Sequence, residues 1–189
     1  MGDPAGVSPE LTARLLARPD VLAAARIVVV GDRRVLAQGE RIAKVQAAIG
    51  DTMSSSGDKP GLIDPAPLDP AEIAPGQASA AGGRFAMENF RAALELARHG
   101  AVDAICFTPF NKAALKLAGN PYNDEMHFAA DMLGHRGPCS EFNILDGLWN
   151  ARVTSHVPLS QVAGLLTVEA IVDALVLADA CVRRAGIAD

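Results

Sequence analysis

Aromatic side chains are scarce in this 189-residue chain, where six Phe, one Trp and one Tyr make up 4% of the residues. Half of the residues are hydrophobic, and most of them are Ala, Val and Leu. This composition favours layered α/β packing over an aromatic-rich β-sandwich. The length corresponds to one large domain or two small ones, with enough apolar side chains for a core.

Basic clusters, long apolar runs and paired cysteines are also lacking. A net charge of −5 without any Lys/Arg cluster argues against nucleic acid as a partner. No apolar run reaches membrane-spanning length and no signal segment starts the chain, so we expect a cytoplasmic protein without a membrane partner. The chain has three cysteines, Cys106, Cys139 and Cys181. Their odd number and the lack of CxxC spacing predict reduced, partly buried thiols.

Strand-like and helix-like segments alternate, which predicts an α/β fold with a mixed, mostly parallel sheet flanked by helices. The predicted strands are 25–30, 101–107, 141–145 and 151–155, with the last two forming an antiparallel pair around Asp146-Gly147. The predicted helices are 8–17, 33–38, 83–99, 112–119, 125–133 and 168–184. Residues 51–83 contain five prolines and the run 54–57 (Ser-Ser-Ser-Gly), so we expect a long connection with at most short strands.

The first ten residues, Met-Gly-Asp-Pro-Ala-Gly-Val-Ser-Pro-Glu, form a Gly/Pro turn that enters a helix. Ser8 is the predicted N-cap and Pro9 suits the first helical position. Turns of this kind usually follow a strand and present N–H groups to a ligand. Because the chain begins inside the turn, we expect the first strand of the domain to be missing. The alternative is an ordinary loop before an ordinary helix.

His156 is the strongest single candidate for chemistry. It follows the predicted strand 151–155, and ligands of α/β proteins bind at the carboxyl ends of strands. The imidazole is therefore a metal ligand or a proton carrier, unless it only hydrogen-bonds to a neighbouring loop. A divalent metal needs three or four protein ligands, so His156 alone does not make a metal site.

Two further segments carry candidate groups. Asp124 and His127 are three residues apart and share a helix face in a stretch rich in ligand-type side chains, which is either a site or a solvated face. Lys112 follows Pro109 and Asn111 at a strand-to-helix turn. Its ammonium either meets a carboxylate or phosphate as a point charge, or is solvated in the first turn of the helix.

Four segments in this order resemble one family: 1–10, 75–79 (Pro-Gly-Gln-Ala-Ser), 108–112 (Thr-Pro-Phe-Asn-Lys) and 154–159 (Thr-Ser-His-Val-Pro-Leu). The chain is similar over essentially its whole length to the 4-hydroxythreonine-4-phosphate dehydrogenases of pyridoxal phosphate biosynthesis. The resemblance implies a fold related to isocitrate and isopropylmalate dehydrogenases, a homodimer, and NAD or NADP with a divalent metal (Zn, Mg, Mn or Co). The implied reaction is oxidation of a small anionic hydroxy acid resembling 4-phosphooxy-threonine, with decarboxylation as an optional second step.

The resemblance also implies residue roles. His156 falls on the metal-binding His of the family's Thr-x-x-His-x-Pro-Leu pattern. The family's substrate-binding Gly-His-Thr-Glu pattern falls on Asp124-Glu125-Met126-His127. Glu125 therefore stands in the His position, where it would repel a phosphate, and Met126 stands in the Thr position, so we expect an altered substrate. The implied substrate-binding residues are Glu125, Met126, His127 and Lys112, and Asp3, Asn111 and Asp124 are implied to line the cleft. No catalytic residue is assigned.

Family members continue with Asn-Pro-His-Ala-Gly-Glu, Tyr-His-Asp-Gln-Gly and Asp-His-Gly segments, of which the first two supply the remaining metal-binding histidines. We therefore expect a truncated, amino-terminal half, with residues 1–120 as the α/β domain and 121–189 as the incomplete start of an interdomain and dimerisation domain. Three hypotheses stay open. The chain belongs to a dehydrogenase, is an inactive remnant that dimerises or binds a ligand, or forms a different metal enzyme using Asp124, His127 and His156.

Overall fold

A computed structural model describes residues 1–47, 49–50, 59–122 and 124–187. The chain divides into two units, Met1–Tyr122 and Asn123–Asp189, and each is described by itself. The first unit contains helices α1 (Ser8–Leu16), α2 (Pro19–Ala24), α3 (Arg33–Ala43), α4 (Ala80–Arg98) and α5 (Lys112–Leu117), strands β1 (Val28–Val30) and β2 (Gly61–Ile63), and a 3-10 turn (Pro70–Glu72).

The core of the first unit lies around β1 and the helices that flank it. Strand β1 pairs in parallel with β2, with Val28 opposite Gly61 and Val30 opposite Ile63. One apolar cluster joins α1, β1 and α3 through residues that include Leu16, Val29 and Leu36. A second cluster joins α3 to α4 through Val35 and Phe85 and to the connection through Leu68 and Ile73.

Two small residues let helices of this unit approach closely. A Cβ on Gly39 of α3 would lie 2.2 Å from the carbonyl oxygen of Pro9 in α1, and one on Gly83 of α4 would lie 2.0 Å from that of Ala114 in α5. These distances are shorter than any real Cβ contact. Only glycine therefore fits at these two crossings.

The predicted strand 101–107 is wrong, although the chain there is rich in strand-forming residues. The described strands form only two pairs, β1 with β2 and a second pair in the other unit, so 101–107 has no ladder partner among the described residues. The predicted strand 25–30 is shortened to β1, because its pairing with β2 begins only at Val28, opposite Gly61. Residues 19–24 form α2, a helix that Pro19 starts and that was not predicted.

The prediction for Ser8 is also corrected. Val7 occupies the N-cap position of α1 without a side-chain hydrogen bond, and Ser8 is the first helical residue. The Ser8 hydroxyl accepts a hydrogen bond from the N–H of Gly2 (2.8 Å). Its oxygen is therefore used to hold the amino-terminal turn and not to cap the helix. Residues 51–58 of the predicted long connection, which include the run 54–57, lie outside the described residues.

The second unit contains helices α6 (Glu125–Met132), α7 (Leu159–Leu165) and α8 (Val168–Arg184) and a hairpin of β3 (Asn143–Leu145) and β4 (Leu148–Asn150). The hairpin is antiparallel, with Leu145 opposite Leu148. Gly147 supplies the positive φ (+70°) that its two-residue turn needs. Among the described hydrophobic residues of this unit, Phe128 alone is buried.

The antiparallel pair around Asp146-Gly147 is confirmed, but its second strand is not 151–155. A two-residue turn brings the returning strand back at once, so β4 begins at Leu148. The described strands thus form one parallel and one antiparallel pair and not the expected mostly parallel sheet.

Cys106 and Cys139 are exposed and Cys181 is half-buried. The predicted partial burial of the thiols is therefore confirmed only for Cys181. None of the helices in the described ranges is long and apolar enough to cross a membrane.

Candidate functional site

The amino-terminal turn of the first unit is held by hydrogen bonds to the segment before α5. The N–H of Gly2 also donates to the Thr108 hydroxyl (3.0 Å), which in turn bonds to the Ser8 hydroxyl, and the N–H of Asp3 donates to the carbonyl of Pro109 (2.9 Å). A Cβ on Gly2 would lie 2.3 Å from the Thr108 carbonyl oxygen. The N–H groups of Gly2 and Asp3 therefore bind the protein itself and are not presented to a ligand.

Asp3 and Asn111 join this turn to the start of α5. The Asn111 amide donates to Asp3 Oδ2 (3.2 Å), and its Oδ1 accepts the N–H groups of Ala113 (3.1 Å) and Ala114 (3.2 Å), which caps the helix. Asp3 is buried and its Oδ1 accepts the N–H of Ala5 (3.0 Å). Both side chains thus have structural partners that account for their positions.

Lys112 is the first residue of α5 and is exposed. Its ammonium makes no ion pair with any residue that the structure describes, so it is free to meet an anion. In the segment before Lys112, the rings of Phe107 and Phe110 meet that of Phe90 from α4, with centroids 5.1 to 5.3 Å apart. The stacking fixes the turn 108–112 against α4, a support that sequence reasoning missed.

In the second unit, Asp124 and His127 are in direct contact. Asp124 is the N-cap of α6: its Oδ1 accepts the N–H of His127 (2.8 Å), while the ring Nδ1 of His127 lies 2.7 and 2.8 Å from the two carboxylate oxygens. The side chain of Asp124 is 9% exposed and that of His127 is 62% exposed. The predicted shared helix face is therefore confirmed as a hydrogen-bonded pair.

The surroundings of Asp124 lower its pKa. Burial would by itself raise the pKa, but the hydrogen bonds from the backbone and ring of His127, together with the nearby imidazoles of His127 and His156, outweigh burial. Asp124 is therefore an ionised carboxylate at neutral pH, and His156 lies within its electrostatic range.

His156 is not at a strand end, since β4 ends at Asn150 and His156 lies in the loop before α7. Its backbone is left-handed (φ +56°), which is uncommon for a residue other than glycine. The Nε2 atom lies 3.9 Å from Glu141 Oε2, and Glu141 also accepts a hydrogen bond from Arg152. The imidazole is 56% exposed, so it is open to a ligand.

Glu141 and Arg152 were not predicted, although a signal exists. The hairpin register pairs Asn143 with Asn150. Continuing this register by two residues on each side places 141 opposite 152, on the same face of the hairpin. Opposite charges at such positions commonly pair across a hairpin.

The described residues do not form a complete metal site. They contain no group of three His, Cys, Asp or Glu side chains that could hold a metal ion, whereas a divalent ion requires three or four protein ligands. The hypothesis of a metal lyase or hydrolase built on Asp124, His127 and His156 therefore has no support. Glu125 and Met126 are half-buried in the first turn of α6.

Solved structures share the fold. That of 4-hydroxythreonine-4-phosphate dehydrogenase from Klebsiella pneumoniae aligns with a TM-score of 0.84 and 32% identity, covering 97% of this chain and 57% of that chain. The chain belongs to the family described as pyridoxal phosphate biosynthetic protein PdxA, whose family model matches residues 23–189.

Relatives carry dehydrogenase names. The chain is 53% identical over 191 residues to "Putative 4-hydroxythreonine-4-phosphate dehydrogenase 2" of Rhizobium meliloti (strain 1021), covering 98% of this chain and 55% of the relative. It is 30% identical over 192 residues to "Putative D-threonate 4-phosphate dehydrogenase" of Symbiobacterium thermophilum, covering 99% of this chain and 57% of the relative. The chain thus spans about half the length of the curated relatives it matches.

Proposed function

We propose that the chain is part of an NAD- or NADP-dependent dehydrogenase that oxidises the CH–OH group of a small anionic hydroxy acid in the cytoplasm. Membership of the PdxA family carries this proposal, and the dehydrogenase names of the relatives support it. The fold would then belong with those of isocitrate and isopropylmalate dehydrogenases. The oxidised product would lose carbon dioxide where it carries a suitably placed carboxylate.

The residues of this chain would bind and orient the substrate. Lys112, exposed and unpaired among the described residues, would meet a substrate carboxylate as a point charge. Asp3 and Asn111 would support this turn without touching the substrate, because their polar atoms already have protein partners. The nicotinamide, when bound, accepts the hydride.

His156 would supply one ligand of a divalent metal such as Zn, Mg, Mn or Co. Its exposed imidazole fits this role, but the described residues offer no group of three ligands. The remaining ligands would have to come from residues other than those described.

The substrate would differ from phosphorylated hydroxythreonine at the group that meets α6. Glu125 places a carboxylate and Met126 a thioether in the first turn of that helix, where a phosphate would need cationic or hydrogen-bonding partners. Charge repulsion favours an unphosphorylated acid over its phosphate ester.

The test joins this chain to the carboxyl-terminal part of the Rhizobium meliloti relative, to which it is 53% identical. Absorbance of the reduced nicotinamide is followed with D-threonate and D-threonate 4-phosphate, with each metal added in turn. Turnover that favours D-threonate supports the proposal and its substrate class. Turnover that favours the phosphate would refute the substrate class, and no turnover of either acid with any of the metals would refute the dehydrogenase.

A second candidate is a catalytically inactive module that forms a homodimer or binds a ligand. The observation that favours it is the apolar surface of the second unit, where Leu159, Val168 and Leu145 are 88%, 73% and 67% exposed. A remnant of this kind would keep its self-association while the fusion protein described above stayed inactive.

A further inference from the structure

The contact between Asp124 and His127 goes beyond what helix capping needs. An N-cap carboxylate completes its role when one oxygen accepts a backbone N–H, as Asp124 Oδ1 does from His127 (2.8 Å). Here the ring Nδ1 of His127 also lies 2.7 Å and 2.8 Å from Oδ1 and Oδ2. The second set of contacts fixes the orientation of a side chain that would otherwise move freely at the surface.

The chemistry of the pair determines which ring nitrogen carries the proton. Asp124 is ionised at neutral pH, because the hydrogen bonds and imidazoles around it offset its burial and lower its pKa. An ionised carboxylate only accepts hydrogen bonds, so Nδ1 of His127 must be the N–H donor. In the neutral ring, Nε2 then has a free lone pair. The side chain is 62% exposed, and no partner of Nε2 is found among the described residues.

The charges around this nitrogen select its ligand. The Asp124 carboxylate lies against Nδ1, on the side of the ring opposite to Nε2. The Asp124 carboxylate behind the ring and the unprotonated Nε2 both disfavour an oxyanion, because a lone pair on Nε2 needs a hydrogen-bond donor. Hydroxyl and ammonium groups both satisfy this condition, and the hydroxyl is the donor that the proposed hydroxy-acid substrate supplies. Asp124 also interacts electrostatically with His156, the proposed metal ligand of the same unit.

We propose that Asp124 is a positioning residue that holds His127 in the Nδ1–H tautomer, and that Nε2 of His127 accepts a hydrogen bond from a hydroxyl group of the substrate. The inference rests on the proposed function and names the substrate group that meets α6.

The tautomer can be measured on this chain without any activity. Long-range ¹H–¹⁵N NMR spectra of the labelled protein, recorded above the ordinary titration range of imidazole, separate protonated from unprotonated ring nitrogens. We expect His127 to show Nδ1–H. His135 is the internal control and should show the other tautomer, Nε2–H. Its Nε2 lies 3.2 Å from the carbonyl oxygen of Pro138 and must donate a hydrogen bond to it. A His127 spectrum that matches that of His135 would overturn the proposal.

Asp124→Ser is the matched variant. Serine is a good N-cap, so α6 is retained, but a single short hydroxyl cannot both cap the helix and hold the ring. We expect unchanged helix content by circular dichroism and a His127 tautomer that shifts toward Nε2–H, the form that an unconstrained imidazole prefers. An Nδ1–H tautomer that persists in the variant would show that Asp124 does not position the ring.

The ligand class is tested by titrating the same labelled chain with millimolar D-threonate and, separately, with inorganic phosphate. We expect D-threonate to move the Nε2 resonance of His127 and phosphate to leave it in place. A response to phosphate alone, or to neither probe, would refute the hydroxyl assignment. Because no turnover is read, a positive result with an inactive fusion protein would refute the dehydrogenase and leave this inference standing.

Discussion

Asp32 shows how one buried carboxylate can couple stability to pH. Its side chain is 1% exposed and accepts hydrogen bonds from the backbone N–H groups of Arg34 (2.6 Å) and Leu68 (2.7 Å) and from the Arg34 guanidinium (2.7 Å). Burial alone would raise the pKa of Asp32, but these hydrogen bonds hold it below its ordinary value. Such a group stabilises the fold above its unfolded pKa, and this contribution is lost as the pH falls through the folded pKa.

We expect Asp32→Asn to lower the free energy of unfolding by about 1–3 kcal/mol at neutral pH, because an amide has one acceptor oxygen where the carboxylate has two. The difference from wild type should shrink below about pH 4, where the carboxylate of the unfolded chain begins to bind protons. Urea unfolding followed by circular dichroism over this range measures both effects.

Asp20→Asn is the control for Asp32. Asp20 pairs with Arg18 at the surface, where both side chains are more than 60% exposed, so screening leaves little stability to lose. Equal stability of the Asp32 variant and wild type at every pH would contradict the prediction.

How far single residues could be predicted depends on the sequence separation of their partners. Asp124 and His127 were expected on one face because i, i+3 neighbours are set by the helix alone, and the structure shows them in contact. Asp3 and Asn111 were expected only to line a cleft. Their hydrogen bond joins positions 108 residues apart, and such a contact depends on how the whole first unit packs.

Among the elements, helices were predicted better than strands. The helix 168–184 begins and ends where expected, because the Thr167 cap and the apolar spacing are local signals. The segment 101–107 has the composition of a strand but no ladder partner among the described residues. A strand requires hydrogen bonds to another segment, and local sequence does not specify them.

The crossing of α1 and α3 should tolerate no side chain at position 39. In an isolated helix, Gly39→Ala would be favourable. Here the added Cβ would lie 2.2 Å from the Pro9 carbonyl oxygen, so we expect a loss of roughly 1–3 kcal/mol from forced separation of the helices. Urea unfolding of the variant measures the loss.

Gly164→Ala in α7 is the matched control, since nothing lies within 4 Å of its added Cβ. We expect this variant to be as stable as wild type or slightly more stable, by up to about 1 kcal/mol. Equal effects of the two substitutions would show that the close approach at Gly39 does not limit packing.

At the scale of the whole molecule, α8 presents an apolar stripe. Val168, Ile171, Val172, Leu175 and Val176 have the spacing of one helix face, and all five are between 41% and 73% exposed. A contiguous apolar surface of this kind promotes association. We expect the chain to self-associate with rising concentration, as measured by size-exclusion chromatography with light scattering.

The paired substitution Val172→Glu with Leu175→Glu should shift the chain toward monomer, because it places two charges in that stripe. Glu169→Gln, at an exposed polar position of the same helix, should leave the association unchanged. A wild-type chain that is monomeric at every concentration would contradict the expectation.

The chain by itself should have no measurable dehydrogenase activity. Its described residues contain no group of three metal ligands, and it spans 55% of the Rhizobium meliloti relative. A lone imidazole does not hold a divalent ion firmly against water. A dehydrogenase also needs a positioned hydride acceptor, and loss of that orientation alone can forfeit about 7–11 kcal/mol of barrier reduction.

The assay mixes the purified chain with NAD or NADP, zinc or magnesium, and a panel of β-hydroxy acids. We expect no metal-dependent change in the absorbance of the reduced nicotinamide, for wild type and for His156→Ala alike. Steady reduction by wild type that His156→Ala abolishes would show that these residues suffice for catalysis. The missing metal ligands would then have to come from a second copy of the chain or from the residues outside the described ranges.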